Sequence, residues 1–226
     1  MDELDCQILK TLKDAKADLA WLDGIKKDQL LQTIRQDASG LHTIGFINGI
    51  RGQFAETKKF NGDHVMKQAM YVAEKMPMHA DPTKIVFFSG TSQSRAEEFV
   101  FDKEDYNVVH TTMPGALLAA FQLFDPDYPL TREQRYAPWN ALSRRLAHMV
   151  RDNATAILDV PKPTATFVNY EMPTFLLENH AVQTVNGIDK WHFWDNLTIL
   201  GMDKSSGDNH KRNVLDAHKQ RLNPTK

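Results

Sequence analysis

The chain has 226 residues, of which 42% are hydrophobic and 25% are charged, and this composition is typical of a folded soluble protein rather than of a disordered or collagen-like chain. At ~150 residues per domain, the length allows one large domain or two small ones. The formal net charge of -2, from 27 Lys and Arg against 29 Asp and Glu, excludes a general electrostatic attraction for nucleic acid or for anionic membranes.

The cysteine and histidine content limits the kinds of site and of compartment. The single cysteine, Cys6, excludes an intrachain disulfide and a zinc site built from several thiolates. The histidines form no HExxH pair, and we expect no metal site. The N-terminus mixes acidic residues with lysines and no run of ~18 apolar residues occurs, so we predict neither a secretory signal nor a membrane-spanning segment. These features favour a protein of the reducing cytoplasm.

The first third of the chain has the periodicity of helices. Apolar residues recur at helical spacing over residues 4–34 and again over residues 64–76. The glycine-rich stretch 45–54 is typical of a loop between helices. We therefore predict a helical domain over residues 1–80, with part of 113–150 packing on it.

Beyond Pro82, short apolar runs alternate with helical segments. The runs lack strict alternation, as expected of strands covered on both faces; they are residues 85–88, 108–111, 156–160 and 182–185. Between them lie helical patterns at 92–99, 114–124 and 139–150. This order predicts an α/β domain over 81–200 with a mostly parallel four-stranded sheet.

The predicted fold class is thus α/β, with an N-terminal helical domain packed on the sheet domain and the active site in the cleft between them. Residues 201–226 are predicted to form a polar tail or an exposed helix. Ligands of parallel sheets lie at the carboxyl ends of the strands, so candidate sites are sought there.

The first candidate site follows the strand 85–88. A turn of small residues, Ser89, Gly90 and Thr91, opens the next helix, and backbone amides at a helix N-terminus bind phosphate groups well. The alternative is a capped turn, in which Ser92 or Ser94 satisfies the first amides of the helix. No GxGxxG or GxxxxGK[ST] pattern is present, so nucleotide sites of those types are not supported.

The second candidate is Glu171, a carboxyl among the apolar and aromatic residues of 166–175. Desolvation there would perturb its pKa and prepare it for catalysis, whereas the alternative is a glutamate that faces water. Pro173 is expected to hold Met172 extended. In the helix 139–149, Arg144 and Arg145 are expected to be solvated.

Four segments carry a resemblance when they are taken in order: residues 84–91 (KIVFFSGT), 126–128 (PDY), 139–144 (W-x-x-x-S-R) and 166–173 (TFVNYEMP). They resemble the K-[IV]-L-[LYF]-W-S-G-T, Pro-Asp-Trp, W-x-x-x-S-R and [ST]-F-[FG]-x-[YV]-E-[LV]-P motifs of the ADP-ribosyl cyclase / cyclic ADP-ribose hydrolase family. These enzymes cleave the bond between nicotinamide and ribose in NAD. The shared order covers residues 80–190, about half of the chain.

The resemblance implies that NAD is a substrate and that no cofactor or metal is needed. Glu171 falls on the catalytic glutamate, which in the family holds the ribosyl cation after nicotinamide leaves. Phe88 and Tyr128 take the places of two family tryptophans that stack on the base and the ribose. The residues implied to bind substrate are Phe88, Ser89, Gly90, Thr91, Tyr128, Thr166 and Phe167.

The departures from the family pattern affect the expected product. Both tryptophans are replaced, and residues 112–118 would align with the family segment T-L-E-D-T-L-L-G so that Pro114 stands on the acid that influences cyclisation against hydrolysis. The products are therefore ADP-ribose, cyclic ADP-ribose or both. Animal members are disulfide-rich, whereas this chain resembles a distant, cysteine-poor branch.

Several interpretations stay open. The chain is interpreted as an effector or toxin that depletes NAD in a target cytosol, delivered without a classical signal peptide and held in check by an inhibitory partner protein. The alternatives are another glutamate-dependent ribosyl transferase, a nucleotide-binding module without turnover, and a helical scaffold protein. The sequence does not give the oligomeric state.

Overall fold

The structure is a computed structural model, and it describes residues 2–13, 25–57, 59, 61–89, 92–103 and 105–224. The helices are α1 (Glu3–Lys13), α2 (Ile25–Gln36), α3 (Ala38–Thr57), α4 (Gly62–Lys75), α5 (Gln93–Asp102), α6 (Met113–Ala120), α7 (Arg132–Met149), α8 (Met172–Leu177), α9 (Lys190–Asn196) and α10 (Lys204–Leu222). The strands are β1 (Val86–Phe88), β2 (Asp152–Ile157), β3 (Val182–Val185) and β4 (Ile188–Asp189). The prediction of a mixed α/β fold with a four-stranded, mostly parallel sheet is confirmed.

The chain divides into two compact units. The first combines Met1–His79 with Val109–Leu142, and the second combines Ala80–Val108 with Ser143–Lys226. The boundary at Leu142 falls inside α7. Among the described residues, no helix has both the length and the apolar character that crossing a bilayer requires.

The first unit is built around α6. Nearly every residue of this helix is buried, as expected of a helix whose sequence, MPGALLAA, is apolar on all sides. It contacts α1, α2, α3 and α4, whose buried residues are mainly apolar. The helix begins cleanly because Thr112 accepts a hydrogen bond from the Gly115 amide at 3.2 Å, and because Pro114 in the first turn needs no amide partner.

Glycines do not interrupt α3. The loop predicted at residues 45–54 is wrong, since α3 runs through this stretch without a break. Gly45 and Gly49 lie on its exposed face, while Ile44 and Ile47 are 3% and 2% exposed. Burying two isoleucines contributes ~1.5–3 kcal/mol each, which exceeds the ~1 kcal/mol that each glycine costs in a helix.

Replacing Gly115 with alanine is expected to lower the free energy of unfolding by about 3 kcal/mol, the upper end of the usual cost of overpacking. A Cβ there would overlap the Val109 carbonyl oxygen and lie 2.7 Å from the carbonyl carbon. Gly49→Ala is the matched control, because Gly49 is surrounded by open space and alanine is the better helix former by ~1 kcal/mol. Urea unfolding followed by circular dichroism measures both variants, and equal stabilities would contradict the close packing at Gly115.

The second unit contains the sheet, in the order β1-β2-β3-β4. The pairs β1–β2 and β2–β3 are parallel, with Phe88 opposite Ile157 at the carboxyl end of the first pair. On β1, Val86 and the half-buried Phe88 face a cluster with α5, while Phe87 on the other face packs edge-on against Phe175 of α8, with ring centroids 5.1 Å apart. The sheet is therefore covered on both faces at β1.

The fourth strand was not predicted where it occurs. Residues 108–111 do not form a strand; Val109–Thr111 is a 3-10 turn, closed by the Thr112 hydroxyl donating to the Val109 carbonyl at 2.7 Å. The fourth strand is instead β4, which pairs antiparallel with β3. Asn186 and Gly187 connect them with φ values of 52° and 77°, as in the type I′ turns that favour Asn-Gly.

Candidate functional site

A π-helical turn carries the candidate catalytic residue. Phe167–Glu171 forms this turn directly before α8, and the Met172 amide donates to the Phe167 carbonyl, five residues back. Met172 has φ -61° and ψ -45°, so the prediction that Pro173 holds it extended is wrong. Pro173 lies in the first turn of α8, where a missing amide proton is tolerated. Wide turns of this kind are frequent at functional sites because they change the direction of side chains.

Glu171 is a buried carboxyl. Its exposed fraction is 5%, and no hydrogen-bond donor among the described residues reaches its Oε2 atom. Burial raises the pKa of Glu171 to about 8, and a hydrogen bond from the Ser143 side chain opposes that rise. A pKa of about 8 leaves this carboxyl mainly protonated at neutral pH, and the described part of the chain offers no donor to one of its oxygens.

Ser143 reaches Glu171 from α7. This serine is 5% exposed and stands in the segment 139–144, four residues after Trp139. The serine of the W-x-x-x-S-R motif therefore contacts the candidate glutamate. The structure brings Ser143 and Glu171 together although they are distant in the sequence.

A second carboxyl, Glu178, lies seven residues after Glu171. Unlike Glu171, it is surrounded by basic side chains. Arg144 donates two hydrogen bonds to it, Nε to Oε1 at 3.1 Å and Nη2 to Oε2 at 2.6 Å. His218 Nε2 lies 2.6 Å from Oε1 and His148 Nε2 lies 3.3 Å from Oε2. Burial alone would raise the pKa of Glu178, but the hydrogen bonds from Arg144 and His218, together with the nearby charges, lower it to about 2.

The proton on His218 can be placed from its neighbours. Arg221 Nη2 lies 3.4 Å from His218 Nδ1, and arginine has only donors, so Nδ1 is the acceptor and Nε2 carries the proton. Nε2–H then donates to Glu178. Burial lowers the pKa of His218, against the opposing effect of Glu178, which agrees with a neutral ring that is 1% exposed.

The turn after β1 is organised by two buried serines. The Ser89 amide donates to Ser92 Oγ at 3.1 Å, and Ser92 Oγ donates to the Ile157 carbonyl at 2.6 Å. Ser92 therefore joins the carboxyl ends of β1 and β2 and does not cap α5 through its side chain, so that part of the capping alternative is wrong. Gly90 and Thr91 of the predicted phosphate cradle lie outside the described residues.

The remaining predicted substrate residues, Thr166, Phe167 and Tyr128, are all at least half-buried. Thr166 begins the π-helical turn and is half-buried, whereas Phe167 is fully buried with its ring 6.4 Å from that of Phe193. Tyr128 belongs to the first unit, is 4% exposed and packs edge-on against Phe54, with centroids 5.4 Å apart. The Arg135 guanidinium donates hydrogen bonds to three backbone carbonyls of the loop that contains Tyr128. Stacking of Tyr128 on a ligand therefore requires this loop to move.

The residues around Glu178 were missed by sequence reasoning. They come from α7, from the end of α8 and from α10, and no local motif joins them. Arg144, which we expected to be solvated, is bound to Glu178. The one available signal was the pattern of α10, in which Gly207, Lys211, Val214 and His218 recur at helical spacing and are buried. The predicted C-terminal helix is present as α10, but these four buried residues mean that it is not exposed on all sides.

Comparison with known proteins gives no family for this chain. No protein-family model and no curated protein matches it. A functional assignment depends on the geometry of the site and on the resemblance of its motifs.

Proposed function

We propose that the protein is an NAD glycohydrolase or ADP-ribosyl cyclase that releases nicotinamide and forms ADP-ribose, cyclic ADP-ribose or both. The observation that carries this proposal is Glu171, a buried carboxyl with an oxygen that the described part of the fold leaves unused. It stands at the position that the resemblance gives to the catalytic glutamate. Buried polar atoms are normally hydrogen-bonded, and an exception of this kind is typical of a functional group.

The proposed reaction needs only one protein group at the reacting carbon. The bond between ribose C1′ and the nicotinamide nitrogen breaks, and its electron pair neutralises the pyridinium ring, so nicotinamide leaves without receiving a proton. The ribose becomes an oxocarbenium-like cation, which the Glu171 carboxylate stabilises more strongly in a dry site than in water. Water then attacks C1′ and releases a proton, or the adenine N1 attacks to close the cyclic product.

Substrate charge explains how a carboxyl of raised pKa acts as an anion. The pKa of Glu171 is raised mainly because burial disfavours the charged form. NAD carries a positive pyridinium ring, and a cation close to a carboxyl favours its ionised form. Binding of a cationic leaving group is therefore expected to ionise Glu171, whereas a neutral nucleoside supplies no such charge.

The implied substrate contacts belong to the same proposal. Ser89, Gly90 and Thr91 would cradle the diphosphate, Phe88 and Tyr128 would stack on the base and the ribose, and Thr166 and Phe167 would line the reacting end. An effector that depletes NAD, with an inhibitory partner, is the biological role that fits this activity.

The direct test is incubation of the purified protein with NAD, followed by chromatographic separation of nicotinamide, ADP-ribose and cyclic ADP-ribose. The proposal predicts release of nicotinamide with one or both ribose products. Binding of NAD in calorimetry without nicotinamide release would favour a nucleotide-binding module. Transfer of ADP-ribose to an added acceptor would favour a ribosyl transferase, and no affinity for NAD would favour a scaffold protein.

The pH dependence of nicotinamide release tests the ionisation state in which Glu171 acts. Because its pKa in the free protein is about 8, kcat/KM is expected to rise with pH up to about 8 and then level off. The increase of kcat with pH should occur at a lower pH than the increase of kcat/KM, because bound NAD favours the carboxylate. A decrease of kcat/KM above pH 8 would contradict cation stabilisation, because it is the behaviour of a protonated Glu171 acting as a general acid.

A further inference from the structure

The π-helical turn receives a hydrogen bond from a distant helix. In a regular α-helix the amide of residue 173 would donate to the carbonyl of residue 169, and Pro173 has no amide proton. The Asn169 carbonyl accepts from Arg221 Nη2, at 3.2 Å. Arg221 lies at the end of α10, 52 residues further along the chain. Its guanidinium thus supplies a donor to the turn from outside it.

The same guanidinium lies on the ring of the residue that precedes Glu171. The Arg221 Cζ atom is 4.8 Å from the centroid of the Tyr170 ring, a distance at which a cation is attracted to an aromatic face. One turn earlier on α10, His218 is bound to Glu178 at 2.6 Å. Helix α10 therefore contacts both residues before Glu171 and the carboxyl that follows α8.

We propose that Arg221 is a positioning residue, which keeps the π-helical turn formed so that the Glu171 side chain stays in its buried position. It does so by holding Asn169 and Tyr170, the two residues on the amino side of Glu171. The activity test of this inference rests on the proposed function of Glu171. The pKa test of the Glu171 environment does not depend on any reaction.

Arg221 is suited to a test because its side chain is exposed, so its replacement removes no buried apolar group. Arg221→Met keeps the length of the stem and loses the cation and its hydrogen bonds to Asn169 and His218. Lys211→Met is the matched control on the same helix. Lys211 donates to the carbonyls of Trp194 and Asp195 at 3.2 and 2.7 Å. Both residues lie in α9, outside the π-helical turn.

The first measurement is the pKa of Glu171 by carboxyl carbon NMR, with the resonance assigned from Glu171→Gln. Arg221→Met is expected to bring this pKa down towards the ordinary value, because a loosened turn admits water to the carboxyl. Arg221→Lys, which keeps a cation on the Tyr170 ring, should restore most of the raised pKa. Lys211→Met should leave it unchanged.

The second measurement is nicotinamide release from NAD. Arg221→Met is expected to lower kcat by about five- to tenfold with KM nearly unchanged, since misplacement of a catalytic group affects the chemical step. If wild-type protein releases no nicotinamide but Arg221→Met still shifts the Glu171 pKa, the proposed function fails and the positioning role stands. An unchanged pKa in Arg221→Met, or an equal shift in Lys211→Met, would overturn the positioning role.

Discussion

Glu171→Gln is expected to reduce the rate of nicotinamide release from NAD by at least ~100-fold, which corresponds to ~2.7 kcal/mol of transition-state stabilisation. Glutamine keeps the size and the hydrogen-bonding capacity of the side chain but cannot become an anion opposite the ribosyl cation. The loss should appear in kcat rather than in KM, because the cation exists only after the glycosidic bond has lengthened. Single-turnover release of nicotinamide measures the chemical step directly.

The matched control for this substitution is Glu74→Gln, the same chemical change on the exposed side of α4. It should release nicotinamide at the wild-type rate. A Glu171→Gln variant as active as Glu74→Gln would remove Glu171 from the mechanism. Circular dichroism and thermal unfolding of both variants establish that any difference does not come from loss of the fold.

Stability gives a second readout of Glu171→Gln that needs no substrate. Since the pKa of Glu171 is about 8 in the folded chain and 4.5 is its ordinary value, the folded state binds more protons than the unfolded state between these pH values. The wild-type free energy of unfolding therefore loses the contribution of Glu171 as pH rises through this window. Glutamine has no such loss, so Glu171→Gln should be more stable relative to wild type at pH 9 than at pH 5.

The two carboxyls of this region have pKa values displaced in opposite directions, and the cause is local. Glu171 is buried with the Ser143 hydroxyl as the described neighbour that acts on its pKa, whereas Glu178 faces an arginine and two histidines. Pairs of titratable groups whose environments drive their pKa values apart are typical of active sites. Because Arg144 and His218 bind Glu178, whereas no described donor reaches Oε2 of Glu171, we propose the chemical role for Glu171 and a structural one for Glu178.

The strands predicted correctly are those in which the apolar residues of the run are themselves buried or half-buried in the sheet. The runs at 85–88 and 182–185 match β1 and β3. The continuous apolar run at β1 fits a strand covered on both faces, whereas in β3 Val182 and Val185 are buried and Gln183 is exposed. The run at 108–111 is also rich in β-branched residues but forms a 3-10 turn, in which the Thr112 hydroxyl donates to the Val109 carbonyl. Strand composition alone does not distinguish these two outcomes. The Asn-Gly dipeptide at 186–187 is the sequence signal that indicates the hairpin of β3 and β4.

The candidate site was predictable only in its local part. The apolar neighbours of Glu171 in residues 166–175 made burial one of two predicted outcomes, the other being a glutamate that faces water. The hydrogen bond from Arg221 to Asn169 and the contacts of Glu178 with Arg144 and His218 come from α7 and α10, which are joined to this segment only by the tertiary fold. Such contacts have no signature in a single sequence, because each partner lies on a helix whose local pattern is complete without the other.

Glu178→Ala is expected to lower the free energy of unfolding at pH 7 by about 2–4 kcal/mol. Removing one partner from a buried ion pair leaves the other charge without compensation, which costs ~3–5 kcal/mol. The expected value is smaller because the Arg144 side chain is 38% exposed and partly screened by water. Glu178→Gln, which keeps an acceptor for His218 but loses the charge, should have an intermediate effect. Urea unfolding of each variant supplies the measurement.

The pH dependence of this loss separates the charge of Glu178 from its packing. The pKa of Glu178 is lowered to about 2 in the folded chain from its ordinary 4.5, so its ionic contribution to stability is present above pH 4.5 and is lost as pH falls towards 2. The difference between wild type and Glu178→Ala should therefore shrink between pH 5 and pH 3. Asp216→Ala breaks the exposed pair with Lys219 on α10 and should change stability by less than ~1 kcal/mol. A Glu178→Ala variant no less stable than Asp216→Ala at pH 7 would show that the cluster does not hold α7, α8 and α10 together.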